Sequence, residues 1–336
     1  MHLKPSCPHL LHTALLSLVA LSAAGKAHAE DLLAPEAPIH LTGTHGRFDF
    51  LAIDPSARRL LAAHTGNGSM DVIELDTPNT IKSVPAGKTQ APVVHASGKT
   101  YYVTSSAPPE FVTIDAETLK VTSKTPLAGP ADLAAIDSAT GKAYVGHDDG
   151  KELWIVDPAN KKVVGSIALP GEAPEDLTFD NAHQRLFQAM KSGNIVAVID
   201  LATGKVGQSW PTAPVEGPHG MALIAEADAF AVVGGNGKLV LMSQKDGHVI
   251  SSTSVANRVD QICYDPGLHR IYCASGTGKI SVVALEDGKL HALGDVPSTE
   301  GAHSIAVDAK THTVWIAYAK GEESFVQQFK PAPAKP

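Results

Sequence analysis

Imidazole and carboxylate side chains recur at one place in a repeating pattern along this 336-residue chain. Asp49, Gln90, Asp132, Glu175, His219, Asp260 and His303 each open a short apolar run, at intervals of 41 to 44 residues. Five of them, Asp49, Glu175, His219, Asp260 and His303, are nitrogen and oxygen donors of the kinds that hold divalent cations when a fold brings them to one point. Glu172, Glu216 and Glu300 stand three residues before Glu175, His219 and His303, so that E-G-P-H and E-G-A-H recur, with E-A-P-E as a variant. Arg47 and Arg258 stand two residues before Asp49 and Asp260. Pointing inward, they would neutralise acids across the site or favour a small anionic ligand. Beside a bound metal that activates water, His219 or His303 could act as general base, because imidazole titrates near neutrality. A polar column is equally what a water-filled channel requires, with ordered water satisfying each group. Gln90 and Asp132 carry no glutamate above them, so any site is expected off-centre, toward His219, Asp260 and His303.

The spacing defines the elements that position these residues. A period of about 40 to 45 residues with several strands per repeat marks a β-propeller, in which each first strand starts at the central channel. One repeat reads D-L-A-A-I-D from Asp132, A-Y-V-G-H, K-E-L-W-I-V-D and K-V-V-G-S-I-A-L, with Gly, Asp or Asn at the turns. Seven first strands give an all-β, seven-bladed propeller with four-stranded antiparallel blades. The last repeat lacks an outer strand, and I-H-L-T-G from Ile39 matches I-A-L-P-G from Ile167. Residues 38–42 are therefore expected to complete the seventh blade and close the ring, which removes a bare sheet edge. Asp54, Asp137, Asp180, Asp265 and Asp308 recur where the first strand turns into the second and read as turn residues. Trp154, Trp210 and Trp315 read as packing residues. The glycine-rich stretches have no strand–loop–helix context for phosphate binding, and no G-x-S-x-G elbow is present.

The chain is 43% hydrophobic with a formal net charge of −8. An apolar run from Leu10 to Ala24 followed by Ala27-His28-Ala29 reads as a signal peptide over 1–29, with 30–37 a linker, 38–330 one propeller domain and 331–336 a Pro/Ala tail. Removing 1–29 takes away two lysines and no acid, so the rest is more negative still. Without a basic cluster, neither nucleic acid nor an anionic membrane is an expected partner. The expected product is a periplasmic or secreted monomer that takes a small molecule or protein at the face over the channel, with a divalent metal ion as candidate cofactor. Cys263 and Cys273 lie on one hairpin, and an oxidising compartment would permit a disulfide between them. A one-residue change of register would put them on opposite faces.

Tyr101-Tyr102-Val103-Thr104 and Ala143-Tyr144-Val145-Gly146, with V-T-I-D-A-E-T-L-K-V, W-I-V-D-P-A-N-K-K-V and A-V-I-D-L-A-T-G-K-V, resemble the repeats of the secreted YncE-like, YVTN-type seven-bladed propellers. The resemblance covers about 38–330 and implies a secreted, non-catalytic binding or scaffold protein with no agreed cofactor and no catalytic residues to carry over. The asparagine of the repeat is replaced by Ser105 and Gly146, and Trp-Asp dipeptides are absent, which makes a WD40 reading weaker. Gly217-Pro218-His219-Gly220 is similar to a turn of secreted metal-dependent lactonase and streptogramin-lyase propellers, which implies the metal-dependent alternative. The metal ring of those enzymes relies on Asn and Glu, and no Asn stands in this ring.

Overall fold

The computed structural model describes residues 1–2 and 32–332, so all but the first two residues of the expected signal segment lie outside it, as do 333–336. Seven antiparallel sheets follow one another along the chain. Blade one runs Leu51–Asp54, Arg59–His64, Ser69–Glu74 and Ile81–Pro85. Blades two to six repeat that order, with first strands Thr89–Val94, Ala131–Ile136, Pro174–Asp180, Pro218–Ile224 and Val259–Asp265. The first strands of successive blades touch one another all the way round, including Ser304–Asp308 of blade seven against blade one. They form the channel wall.

Blade seven confirms closure by the N-terminal segment and changes its details. Leu33–Pro35 pairs with Phe329–Pro331, and Ile39–His40 pairs with Phe325 and Val326. The closing strand therefore begins at Leu33, inside the segment expected to be a linker, and is interrupted at 36–38. Pro38 has no amide hydrogen to donate to a ladder. Pro331, expected in the tail, ends the paired strand.

Packing explains why the middle strands are largely apolar on both faces. Successive side chains on a strand face opposite ways, and a blade between two neighbours is covered on both sides. In Arg59–His64, Leu60 and Ala62 enter a cluster with Trp315 and Val326 of blade seven, while Leu61 enters one with Tyr101 and Val103 of blade two. Seven such clusters lie one at each blade–blade interface. Trp154, Trp210 and Trp315 are all buried in them, as read from the sequence.

The recurring aspartates are structural and also join blades. Asp54 accepts from the Ser56 and Ala57 amides and from Tyr101 of blade two at 2.7 Å. Asp265 faces His312 of blade seven at 2.8 Å, and Asp308 accepts from Arg58 of blade one at 2.7 Å. Burial pushes the Asp308 carboxyl up, but hydrogen bonds from Arg58, Thr311 and the Lys310 amide together bring it below its ordinary value.

A second polar lock closes the ring. His64 Nδ1 lies 2.7 Å from Asp71, His64 Nε2 lies 3.0 Å from Ser324 Oγ, and Ser324 donates to the Gly46 carbonyl. The imidazole stacks on Phe48. These Asp, His and Ser side chains align as in a hydrolase triad, but all three residues are fully buried, so no substrate reaches the hydroxyl. The set ties blade one to blade seven.

Cys263 and Cys273 are free thiols. Tyr272 stands opposite Cys263, and Cys273 stands opposite Ile262. That one-residue offset sends Cys263 toward the blade six–seven core and Cys273 into the blade five–six core, so the candidate disulfide does not form.

Candidate functional site at the channel mouth

Five of the seven ring residues sit where their blade's first ladder is disturbed. Register shifts fall between Thr89 and Pro92, Ala131 and Ala134, Pro174 and Leu177, Pro218 and Met221, and Val259 and Ile262. Gln90, Asp132, Glu175, His219 and Asp260 are the first residues within these bulges. A bulge leaves one residue outside the ladder and re-aims its side chain, which here turns a polar group into the channel. Asp49 and His303 stand just before the first strands of blades one and seven.

The structure brings Asp49, Asp260 and His303 together: one ligand atom from each lies within 4.8 Å of the other two. His303 Nε2 is 3.7 Å from Asp260 Oδ2. Glu175 and His219 form a separate pair at 3.6 Å, with Lys191 3.3 Å from the same Glu175 oxygen. Arg47 approaches Asp49 at 3.9 Å from an exposed position. Gln90 also lies beside Asp49; with its amide turned so that the nitrogen donates to Asp49, its oxygen accepts from Ser106 at 3.0 Å.

Both histidines are oriented by their own loops. His219 Nδ1 lies 2.9 Å from the Gly217 carbonyl, and His303 Nδ1 lies 2.8 Å from the Gly301 carbonyl. An imidazole nitrogen facing a carbonyl oxygen at that distance carries the proton, so Nε2 is the atom presented to the channel. Gly217 and Gly301 have φ of 57° and 84°, left-handed backbone that suits glycine. The recurring E-G-x-H motif therefore works through its glycine. Its glutamates stay outside: Glu172 pairs with Lys151 at 2.9 Å, and Glu216 and Glu300 are exposed. Arg258, exposed and at φ 58°, lies with its guanidinium beside Gly276 and not against Asp260.

Three channel residues were missed from the sequence. Asp176, next to Glu175, accepts from the Met221 amide of blade five at 2.8 Å. Gln261, next to Asp260, accepts from the amides of Leu51 at 3.0 Å and Ile305 at 2.9 Å, and donates to the Leu51 carbonyl at 2.8 Å. Asp148, in a blade-three loop, lies near enough for its charge to act on Asp49 and Asp132. The column one residue after the ring column reads Phe50, Ala91, Leu133, Asp176, Gly220, Gln261 and Ser304, and its polar members were the available signal. Gly220 in that column is a close approach, since a Cβ there would lie 2.5 Å from the Asp260 carbonyl.

The acids crowd one another. Burial, then the charge of Asp260, raises the Asp49 carboxyl to about 7, despite Arg47. Burial and the neighbouring acids, Asp49 first, push Asp132 well above the carboxylate range. Burial raises Asp176 to about 7 against the hydrogen bonds of the Met221 and Leu177 amides, and burial raises Glu175 against the pull of His219 and Lys191. Asp148 is raised by burial and by Asp149. A mouth built this way attracts positive charge.

No protein-family model and no curated protein sequence matches the chain. Solved structures do. A structure described as RRP9 WD40 repeats aligns over 89% of this chain and 100% of its own, with a TM-score of 0.73 and 10% identity. One described as U3-55K aligns over 88% and 99%, with a TM-score of 0.74 and 10% identity. A chain of Kuenenia stuttgartiensis hydrazine synthase aligns over 83% and 96%, with a TM-score of 0.71 and 15% identity. The chain is similar to these proteins in fold alone. The shared architecture is the seven-bladed propeller; the interblade aspartates and the acid-lined mouth are described by this chain's own residues.

Proposed function

We propose that this chain is a secreted, YncE-like binding propeller that takes a small, positively charged ligand at the channel mouth. One observation carries the reading: Asp49, Asp260 and His303, from blades one, six and seven, converge within 4.8 Å beside further acids whose carboxyls burial and mutual repulsion raise. Perturbed titratable groups gathered in a concavity are a binding-site signal with a physical cause. The YVTN-type repeats support the family assignment, and the WD40-like fold is compatible with a binding or scaffold role.

A thermal-shift series with divalent cations and a linear polyamine tests the reading. Stabilisation is expected for the wild type and its loss in a Glu175→Gln/Asp260→Asn double variant. Equal stabilisation of both proteins, or none of either, would contradict it.

The metal-dependent lactonase or lyase reading is favoured by one feature, the imidazole of His219 set 3.6 Å from the Glu175 carboxylate, a pairing of the kind that general acid–base catalysis uses. Hydrolysis of a lactone panel by metal-supplemented protein, lost in His219→Ala, would select it.

A further inference from the structure

We infer that Asp49, Asp260 and His303 form a three-donor site for a first-row transition-metal ion such as Zn²⁺, with His303 binding through Nε2. This deepens the binding reading and rests on it. The hydrogen on His303 Nδ1 is used by the Gly301 carbonyl at 2.8 Å. The ring's other nitrogen, Nε2, is then the one turned toward Asp260 Oδ2, at 3.7 Å. Asp49 supplies a third acceptor atom within the same 4.8 Å group. An imidazole nitrogen and two carboxylate oxygens, from three different blades, thus converge closely enough for one ion to bridge them.

The donor chemistry selects the ion. One imidazole nitrogen and two carboxylates fall short of the six to eight oxygens that Ca²⁺ takes, and they match the nitrogen–oxygen sets of zinc and its neighbours. With bonds of about 2.0–2.1 Å, tetrahedral donors stand about 3.4 Å apart, so the present separations close by side-chain rotations of about an ångström. The Nδ1–carbonyl bond is the outer contact that metal-binding histidines ordinarily make, fixing tautomer and ring orientation. Here the loop provides it through Gly301. Three protein donors leave a position open toward the mouth, where an external ligand can bind the ion.

Rival positive charge is held loosely. Arg47 reaches Asp49 only at 3.9 Å, and its side chain is 59% exposed, so it can swing away. Lys191 is engaged by Glu175. Arg47→Gln is therefore expected to tighten metal binding.

Isothermal titration of chelator-treated protein with Zn²⁺, and separately with Ca²⁺, tests the site, with visible absorption of Co²⁺-loaded protein as a reporter of nitrogen–oxygen coordination. One equivalent of Zn²⁺ is expected, bound much more tightly than Ca²⁺. Asp49→Asn, Asp260→Asn and His303→Ala are each expected to weaken it by at least about a hundredfold, beyond the ten- to hundredfold typical of losing an outer-shell contact. Asp260→Glu, which keeps an oxygen donor, should retain part of the affinity. His248→Ala on the outer surface should change nothing. Unaltered melting temperatures without metal establish that each variant is folded. Absence of Zn²⁺ binding at millimolar concentration, or binding that survives all three triad variants, overturns the inference. If the polyamine still stabilises the protein through the ring acids while Zn²⁺ does not bind, the metal assignment fails and the cationic-ligand reading stands. If neither acts, both fail.

Discussion

Replacing Gln261 with alanine should weaken the propeller where its ring closes. The side chain belongs to blade six but serves three backbone groups elsewhere: the Leu51 amide and carbonyl of blade one and the Ile305 amide of blade seven. It is 7% exposed. If channel water replaces it, each lost hydrogen bond costs about 1 kcal/mol; a group left dry costs about 1–3 kcal/mol. Three groups give about 3 kcal/mol in the wet case and about 6 kcal/mol in the dry case. Urea unfolding is the assay, read as a shift in midpoint at constant slope, since a constant slope means the same surface is exposed. Gln261→Met separates packing from polarity, because it restores the length and apolar volume of the side chain but none of the hydrogen bonds. Both variants should fall by a similar amount. A loss below about 1 kcal/mol for Gln261→Ala, or full recovery in Gln261→Met, would refute the reasoning.

Other outcomes follow from the same contacts. His64→Phe keeps the stack on Phe48 but takes the imidazole from Asp71 and Ser324, which retain only their bonds with Ser69 and the Gly46 carbonyl, and should cost about 2–6 kcal/mol in urea unfolding, at about 1–3 kcal/mol for each buried group that loses its partner. Asp308 is held below its ordinary range, so its contribution is complete above about pH 4 and is lost as pH falls through its lower folded value; Asp308→Asn should flatten the acid limb of a stability–pH profile. Asp132 is raised, so the folded state holds a proton that the unfolded chain releases above about pH 4; stability from this group falls as pH rises, and Asp132→Asn should raise the melting temperature at pH 8 more than at pH 4. Cys263 and Cys273 should both react with a thiol reagent after unfolding without reductant, while a pair that stays unreactive until reduced would contradict the free-thiol assignment.

The fold was legible because a blade is local: turn residues, strand length and a near-constant period all repeat within about 43 residues, and each repeat reports the same element again. The closing strand was legible as an event but not in its bounds. Its pairing at Leu33 depends on Phe329–Pro331, nearly 300 residues away, and no local pattern carries that. The ring column was visible because each member opens a strand. The site's grouping was not visible, because it depends on channel geometry: Asp49 meets His303 and Asp260, while Glu175 and His219 pair by themselves. Gln261 and Asp176 were hidden for a related reason, since a bulge turns two successive residues toward the channel where strand alternation leads one to expect one. In E-G-x-H the charged residue drew attention, and the carbonyl of the glycine beside it does the orienting. The cysteines were decided by register: with Asp265 opposite Arg270, Cys263 and Cys273 miss one another by a single residue.

The asymmetry of the ring is the central point, and anomalous diffraction from crystals soaked in Zn²⁺ tests it most directly. One channel peak is expected, off the propeller axis, about 2.0–2.2 Å from His303 Nε2 and from an oxygen each of Asp49 and Asp260. A peak on the axis shared among all seven ring residues, or no peak in the channel beside occupied surface histidines, would contradict it.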